Sequence, residues 1–275
     1  MMSGALLYYR YKGEMDVFKF YRKRWESIYP EFWLLYGCFF IKNATSAGTL
    51  FYKGRPWMLL LSLFGVDGYF KYRIDNYYIL GEWFLGAIIM IYLLYPILLR
   101  IFQRAPLVLS AMLLLLCLAI ENVGFFQISL YRNLIFCIFE FEIGMLLMKH
   151  REKLRGPICI ISCLLIEILL VTVQMPISTG LYTILSSAAL YLLLGEVGVW
   201  TESRSRRFAW IVGTGAGISY SAYLLHRHVL KGVLRIWNPT QPLGEMVVFV
   251  ICIFVLFVCA WIYHTIVSRL LRLMR

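Results

Sequence analysis

Apolar runs long enough to cross a bilayer alternate with short polar segments along almost the whole chain. A spanning helix needs about 20 mostly apolar residues. The pattern predicts such helices near 28–42, 79–99, 106–126, 131–148, 157–175, 178–199, 208–230 and 243–267. The first of these is short and extends at one end. Trp57–Val66 is apolar over only ten residues and reads as an interfacial or re-entrant segment. Residues 1–9 are apolar too, yet cannot span and lack the charged-then-apolar order of a signal peptide. They read as the tail of something longer. The expected fold is all-α, a polytopic transmembrane helix bundle of about eight spanning helices, in a single domain over residues 1–275.

Composition sharpens this reading. Of the 275 residues, 61% are hydrophobic and 15% charged, against about 25% charged in soluble domains. The net charge of +12 would suit nucleic acid if it were gathered on one face. Instead, Lys and Arg sit in short clusters between apolar runs, so no nucleic-acid partner is expected and membrane lipids are. Eighteen of the 27 fall in residues 10–27, 100–105, 149–156, 200–207 and 268–275, which alternate with poorer segments. By the positive-inside rule these segments, the C-terminus among them, face the cytoplasm. Two cytoplasmic ends require an even number of crossings. Trp33, Trp83, Trp200, Trp237 and Trp261 stand at span edges, where aromatic residues anchor helices.

Seven cysteines all lie in apolar runs without a CxxC pair, and they read as free thiols. No ligand spacing points to a metal; His226 and His228 lie too close to share one helix face. Ionisable groups inside spans are expensive and face a bundle interior or a wet cavity. Glu82, Glu121, Glu140, Glu142, Glu167, Glu196, His226 and His264 are the candidates. Glu140 and Glu142 point to different helix faces, and mid-span Glu167 requires a partner. The seventh span is unlike the others. Gly213–Gly217 is rich in small residues that let helices approach closely, and Ser219, Tyr223 and His226 follow at helical spacing. Such a stripe holds a ligand or glues helices together. Residues 22–30 carry Arg22, Lys23 and Arg24, which serve as a topology signal or a phosphate site.

Three segments together resemble acyltransferase family 3, the membrane O-acyltransferases of bacterial surface glycans. Phe20-Tyr-Arg-Lys-Arg-Trp-Glu-Ser-Ile-Tyr-Pro-Glu-Phe-Trp is similar to the family's basic residues followed by Ile-x-Pro and an aromatic. Gly81-Glu-Trp-Phe-Leu with Tyr92-Leu-Leu-Tyr-Pro resembles its tryptophan–glutamate segment. Ile218-Ser-Tyr-Ser-Ala-Tyr-Leu-Leu-His looks like its late helix. The family implies ten helices and an essential histidine early in the chain. Met2-Ser-Gly-Ala-Leu-Leu resembles the end of the family's second helix, so the chain is expected to lack the first helix and most of the second, and that histidine with them. Ser27 stands where the family has a third basic residue.

The resemblance implies a bacterial plasma-membrane acyltransferase that moves acetyl or another acyl group from a cytoplasmic donor such as acyl-CoA to a hydroxyl of a glycan or its lipid-linked precursor, with no bound cofactor or metal. It implies that Arg22, Lys23 and Arg24 lie near the donor, that Glu82 is the motif glutamate, and that Trp83, Ser219, Tyr220 and Tyr223 contact substrate. His226 is then the histidine left to act as catalytic base. A flippase for a lipid-linked sugar would use the same buried polar residues and make no bond. An inactive remnant would follow from the missing helices, and on that expectation residues 1–275 show activity near background.

Overall fold

Among the described residues the chain forms eleven α-helices and no strand. The computed structural model describes residues 1–80, 83–123, 128–173, 178–204 and 206–273, with backbone alone at 202–204 and 206–208. The helices are α1 Met2–Tyr11, α2 Val17–Ala47, α3 Leu59–Leu63, α4 Asp67–Phe70, α5 Trp83–Arg104 and α6 Pro106–Val123. They continue as α7 Leu134–Lys149, α8 Pro157–Thr172, α9 Thr179–Arg204, α10 Arg206–Ile236 and α11 Pro242–Leu273. Local chemistry sets several starts. Pro106, Pro157 and Pro242 open their helices, where the missing N–H would have had no intrahelical partner. Asn133 caps α7 by accepting from the Ile135 amide at 2.9 Å. Gly156 takes the positive φ of 96° that turns the chain into α8.

The seven later spans coincide with α5–α11 to within a few residues, apart from longer ends on α9, α10 and α11. Among the described residues, four helices are long and apolar enough to cross a membrane: α5, α6, α9 over Thr179–Thr201, and α11. The helices α2 and α10 have 31 residues each but carry charges, and α7 and α8 have 16 each. The first span needs correcting. Residues 10–27 are not a loop: only residues 12–16 separate α1 from α2, so Arg22, Lys23 and Arg24 ride on helix. Hydropathy alone could not see this, because the segment from Phe18 to Ser27 is polar yet holds good helix formers.

The chain gathers into two compact units, residues 1–21 with 87–208 and residues 22–86 with 209–275. In the first unit α1 packs along α7, α6 along α7, and α8 along α9. Phe20, Tyr95 and Phe141 form its aromatic centre, with Phe20–Tyr95 ring centroids 5.2 Å apart and Tyr95–Phe141 5.8 Å apart. Two of its carboxylates, the buried Glu142 and the half-buried Glu167, take partners across helix pairs. Ser110 donates to Glu142 at 2.7 Å from α6 to α7, and Ser186 donates to Glu167 at 3.1 Å from α9 to α8. Glu167 thus has the neighbouring-helix partner its mid-span position requires.

In the second unit, α2 holds the segment 56–80 by side chains that donate to backbone carbonyls. Trp33 Nε1 donates to Leu63 at 2.8 Å, Tyr29 to Phe64 at 3.1 Å and Tyr36 to Tyr77 at 2.9 Å. The first two carbonyls lie at the end of α3, where helix acceptors have no partner of their own. Two short helices and a single 3-10 turn at Pro56–Met58 fill this segment, so it does not span, as its ten apolar residues imply.

Candidate functional site

Two polar features meet in the second unit. The first is a small pocket, with room for about one water molecule, lined by Phe32 and Tyr36 of α2, Asp67 of α4, Tyr78 of the following loop, and Tyr223 and Leu224 of α10. Asp67 is 5% exposed. Its carboxylate accepts from Ser62 Oγ at 2.8 Å and from the Gly68 amide at 2.8 Å. Both bonds favour the ionised form, but burial outweighs them and pushes the group up to about 6. Asn76 fixes the backbone behind it, donating to the Asp67 carbonyl at 2.8 Å. The pocket therefore holds one carboxyl among aromatic faces. Sequence reasoning missed it, though the signal was there: Asp67 directly follows the apolar run 57–66.

The second feature is a network around Glu31 of α2. Glu31 Oε1 lies 2.9 Å from His264 Nδ1 of α11, and Oε2 accepts from Ser221 Oγ of α10 at 2.7 Å. The Tyr263 hydroxyl donates to the Glu31 carbonyl, and the Tyr220 hydroxyl donates to the Ile28 carbonyl at 3.1 Å. Three helices converge on one carboxylate. His264 was recognisable as an ionisable group in a span; Glu31 was not, since it lies among Tyr29, Pro30 and Phe32 near a span end.

The predicted site residues divide. Tyr220 and Tyr223 come together, with rings stacked at 6.2 Å, and Tyr223 lines the pocket. His226 is half-buried, its Nδ1 2.6 Å from the Tyr223 carbonyl. A carbonyl only accepts, so Nδ1 carries the proton and Nε2 is the basic nitrogen. Ser219 stands apart: it is exposed and donates to the Ala216 carbonyl at 2.8 Å. Ser221, two residues on, takes the inward position. Trp83 is half-buried at the start of α5, its ring 6.0 Å from Phe84. Glu82 lies outside the described residues. Arg22 and Lys23 are exposed, with Arg22 Nε 2.9 Å from Glu26; Arg24 is half-buried.

The glycine stretch of α10 departs from expectation. A Cβ added at Gly213, Gly215 or Gly217 would meet nothing within 4 Å. Close approach occurs instead at Gly4, Gly144 and Gly180 of the first unit, where a Cβ would strike Phe141, Met1 and Phe136, and at Gly86 of the second, where it would strike Tyr69 and crowd Val66. Small residues permit close approach; they do not create it.

Comparison with known families gives one match. The model of acyltransferase family 3, described as an acyltransferase domain, covers residues 1–265, and the chain belongs to that family. No curated protein and no solved structure matches.

Proposed function

We propose that this member of the acyltransferase family moves an acetyl group from acyl-CoA, bound on the cytoplasmic side, to a hydroxyl of a surface glycan or its lipid-linked precursor. One observation carries the reading beyond family membership. The two motif segments that lie farthest apart in the chain are bonded together, Tyr220 to Ile28 across 192 residues and Ser221 to Glu31 across 190. The helix that carries the basic cluster and the helix that carries His226 are thus bonded together, beside the pocket.

In this reading Arg22, Lys23 and Arg24 hold the donor's phosphates, since Arg and Lys both pair well with phosphate oxygens. The aromatic rings around the pocket suit the apolar face of a sugar ring. Trp83 and Tyr220 extend the acceptor surface, and Glu82 keeps the role of motif glutamate that the resemblance implies. His226 Nε2 takes the proton of the attacking hydroxyl as its oxygen bonds to the thioester carbonyl.

The test is transfer of labelled acetyl from acetyl-CoA to a lipid-linked oligosaccharide in vesicles. An acetyl ester on the acceptor is expected, reduced about 10²- to 10⁴-fold in His226→Ala, the usual contribution of a general base. Arg24→Ala should weaken acetyl-CoA binding and leave insertion intact. An acceptor that changes leaflet without gaining acetyl would instead establish a flippase. Orientation is read separately: a cysteine placed at Ser205 should resist an impermeant reagent in intact cells.

A further inference from the structure

Nine of the 27 Lys and Arg fall outside the segments richest in positive charge, and eight of those nine lie in residues 42–73 and 227–235. The second unit draws several of them together. The turn after α2 packs on the segment that follows α4: the Tyr77 hydroxyl donates to the Gly54 carbonyl at 2.5 Å, and a Cβ on Gly54 would lie 3.4 Å from the Asp75 carbonyl oxygen. That contact sets the exposed Lys53 beside Lys71 and Asp75, whose side chains meet at 2.8 Å. Arg227 of α10 reaches the same segment, its guanidinium carbon 5.6 Å from the centre of the Tyr78 ring. Burial first, and then the charges of Lys71 and Arg227, hold the Lys53 ammonium below the usual lysine value, and Asp75 offsets them only in part. Three cations thus share one neighbourhood with one exposed carboxylate.

Like charges repel, so a fold that gathers them gives up stability unless an anion answers them. Asp75 answers one. An excess of two positive charges remains, close to the charge of about −1.5 to −2 that a phosphate group carries at neutral pH. Position points the same way. Lys42 follows Arg24 on α2 by eighteen residues, about 27 Å, nearly the thickness of a bilayer's hydrocarbon core. Lys42 and Arg227 both bear on the His228 ring, which lies 3.9 Å from Phe39, so the cluster belongs to that far end. On the topology that the loop charges imply, this end faces away from the cytoplasm, where basic residues are ordinarily sparse. The pocket adjoins it: Tyr78 lines the pocket, and the Lys53 charge reaches Asp67.

We propose that Lys53, Lys71 and Arg227 form a phosphate-binding site beside the pocket, and that it takes the phosphate of a lipid-borne acceptor at the end of the unit opposite the Arg22–Arg24 cluster. The assignment to the acceptor rests on the acyl-transfer reading above; the site itself does not. Arg227, standing over Tyr78, offers a planar pair of donors to two phosphate oxygens, and the two ammonium groups supply the remaining charge. Asp75 holds Lys71 in place. A sugar carried on that phosphate then lies next to the aromatic rings around the pocket. No bond is made or broken at the site; it fixes where the acceptor sits.

The experiment measures binding of farnesyl diphosphate to the full chain in phosphatidylcholine nanodiscs, with farnesol, inorganic pyrophosphate and added phosphatidylglycerol as competitors. Farnesyl diphosphate should bind, and farnesol should not displace it. Lys53→Gln and Arg227→Gln should each weaken binding about 10-fold, the lower end for a hydrogen bond to a charged group. Lys53 is exposed, so its variant should fold as wild type does. Arg235 lies eight residues beyond Arg227, about 12 Å along α10 and past a Debye length, so Arg235→Gln should cost less than about 2-fold. Unchanged binding in Lys53→Gln and Arg227→Gln would overturn the site. An equal loss in Arg235→Gln would overturn it too, as the mark of a diffuse field. Displacement by pyrophosphate as readily as by farnesyl diphosphate, or by phosphatidylglycerol, would assign the site to free phosphate or to bulk lipid and overturn the acceptor assignment. In acetyl transfer, Lys53→Gln should raise KM for the lipid-linked acceptor and leave kcat unchanged, the signature of lost uniform binding; the reverse split would overturn the acceptor assignment. A protein that binds farnesyl diphosphate through Lys53 yet transfers no acetyl would overturn the acyl-transfer reading and leave the site standing.

Discussion

The two units place weight on different contacts. In the first, backbones close up. The α1 and α7 helices meet where Gly4 and Gly144 leave no room for a side chain, and Gly180 admits the Phe136 ring. Glu142 and Glu167 each take a serine on an adjacent helix. In the second unit, large side chains reach to backbone carbonyls and to one another, and a small pocket remains among them. Packing built on long polar side chains leaves space and lines it with chemistry.

The sharpest way to break this contrast is Gly4→Val. Its Cβ would strike the Phe141 carbonyl of α7, a backbone atom that cannot swing aside. A loss of about 3 kcal/mol is expected, at the upper end for overpacking, read by denaturant or thermal unfolding in detergent. If the variant is as stable as wild type, the close approach of α1 and α7 is not what holds the first unit.

Asp67 tests the second unit through pH. Its folded value is raised from 3.8 to about 6 by burial. Between those values the folded state holds the proton and the unfolded state releases it, so stability falls as pH rises through about 4 to 6. Below that window the contribution is fully present; above it the loss levels off at about 3 kcal/mol at most. Asp67→Asn should flatten this part of the stability profile. An unchanged slope would mean that the pocket is wet enough to solvate the carboxylate.

Ser110→Ala and Ser221→Ala remove matching bonds to Glu142 and Glu31. Each should lower stability by about 1.5–3 kcal/mol, the range for a hydrogen bond to a charged group. They should differ in activity: Ser110→Ala leaves acyl transfer unchanged per folded molecule, and Ser221→Ala lowers it by loosening the bond that ties α10 to α2 beside the pocket. The smallest effect is expected at Gly215→Ala. Nothing lies within 4 Å of that position, and α10 should gain up to about 1 kcal/mol from the better helix former. A loss there would show that this face of α10 packs closely after all.

Much of the fold was legible in the apolar pattern, for a physical reason. Bilayer thickness imposes run lengths, and proline and asparagine mark helix starts, so α5 to α11 could be placed from local signals. The α2 helix was misjudged because its first turns are polar, and polarity says nothing about whether a backbone is helical. Parts of the site were legible as well. Spacing picked out Tyr223, which lines the pocket, and His226, which does not; the motif resemblance picked out Tyr220, which bonds to Ile28. Ser219 was chosen over Ser221 because the stripe was drawn through Tyr223 and His226 alone. The rotation of α10 places Ser221 toward Glu31 and Ser219 outward.

The residues alone determined that this chain is helical, membrane-bound and of the acyltransferase family, since hydrophobic run length, charge between runs and short motifs are all local properties. Only the tertiary structure decided which polar groups work together. Glu31 and His264 lie 233 positions apart, and Asp67 meets Tyr223 only where α10 lines the pocket. No periodicity within one helix carries the rotation of that helix about its own axis, nor the side of it that faces another. Those are set by packing, and packing is where Glu31, His264 and Asp67 acquired their partners.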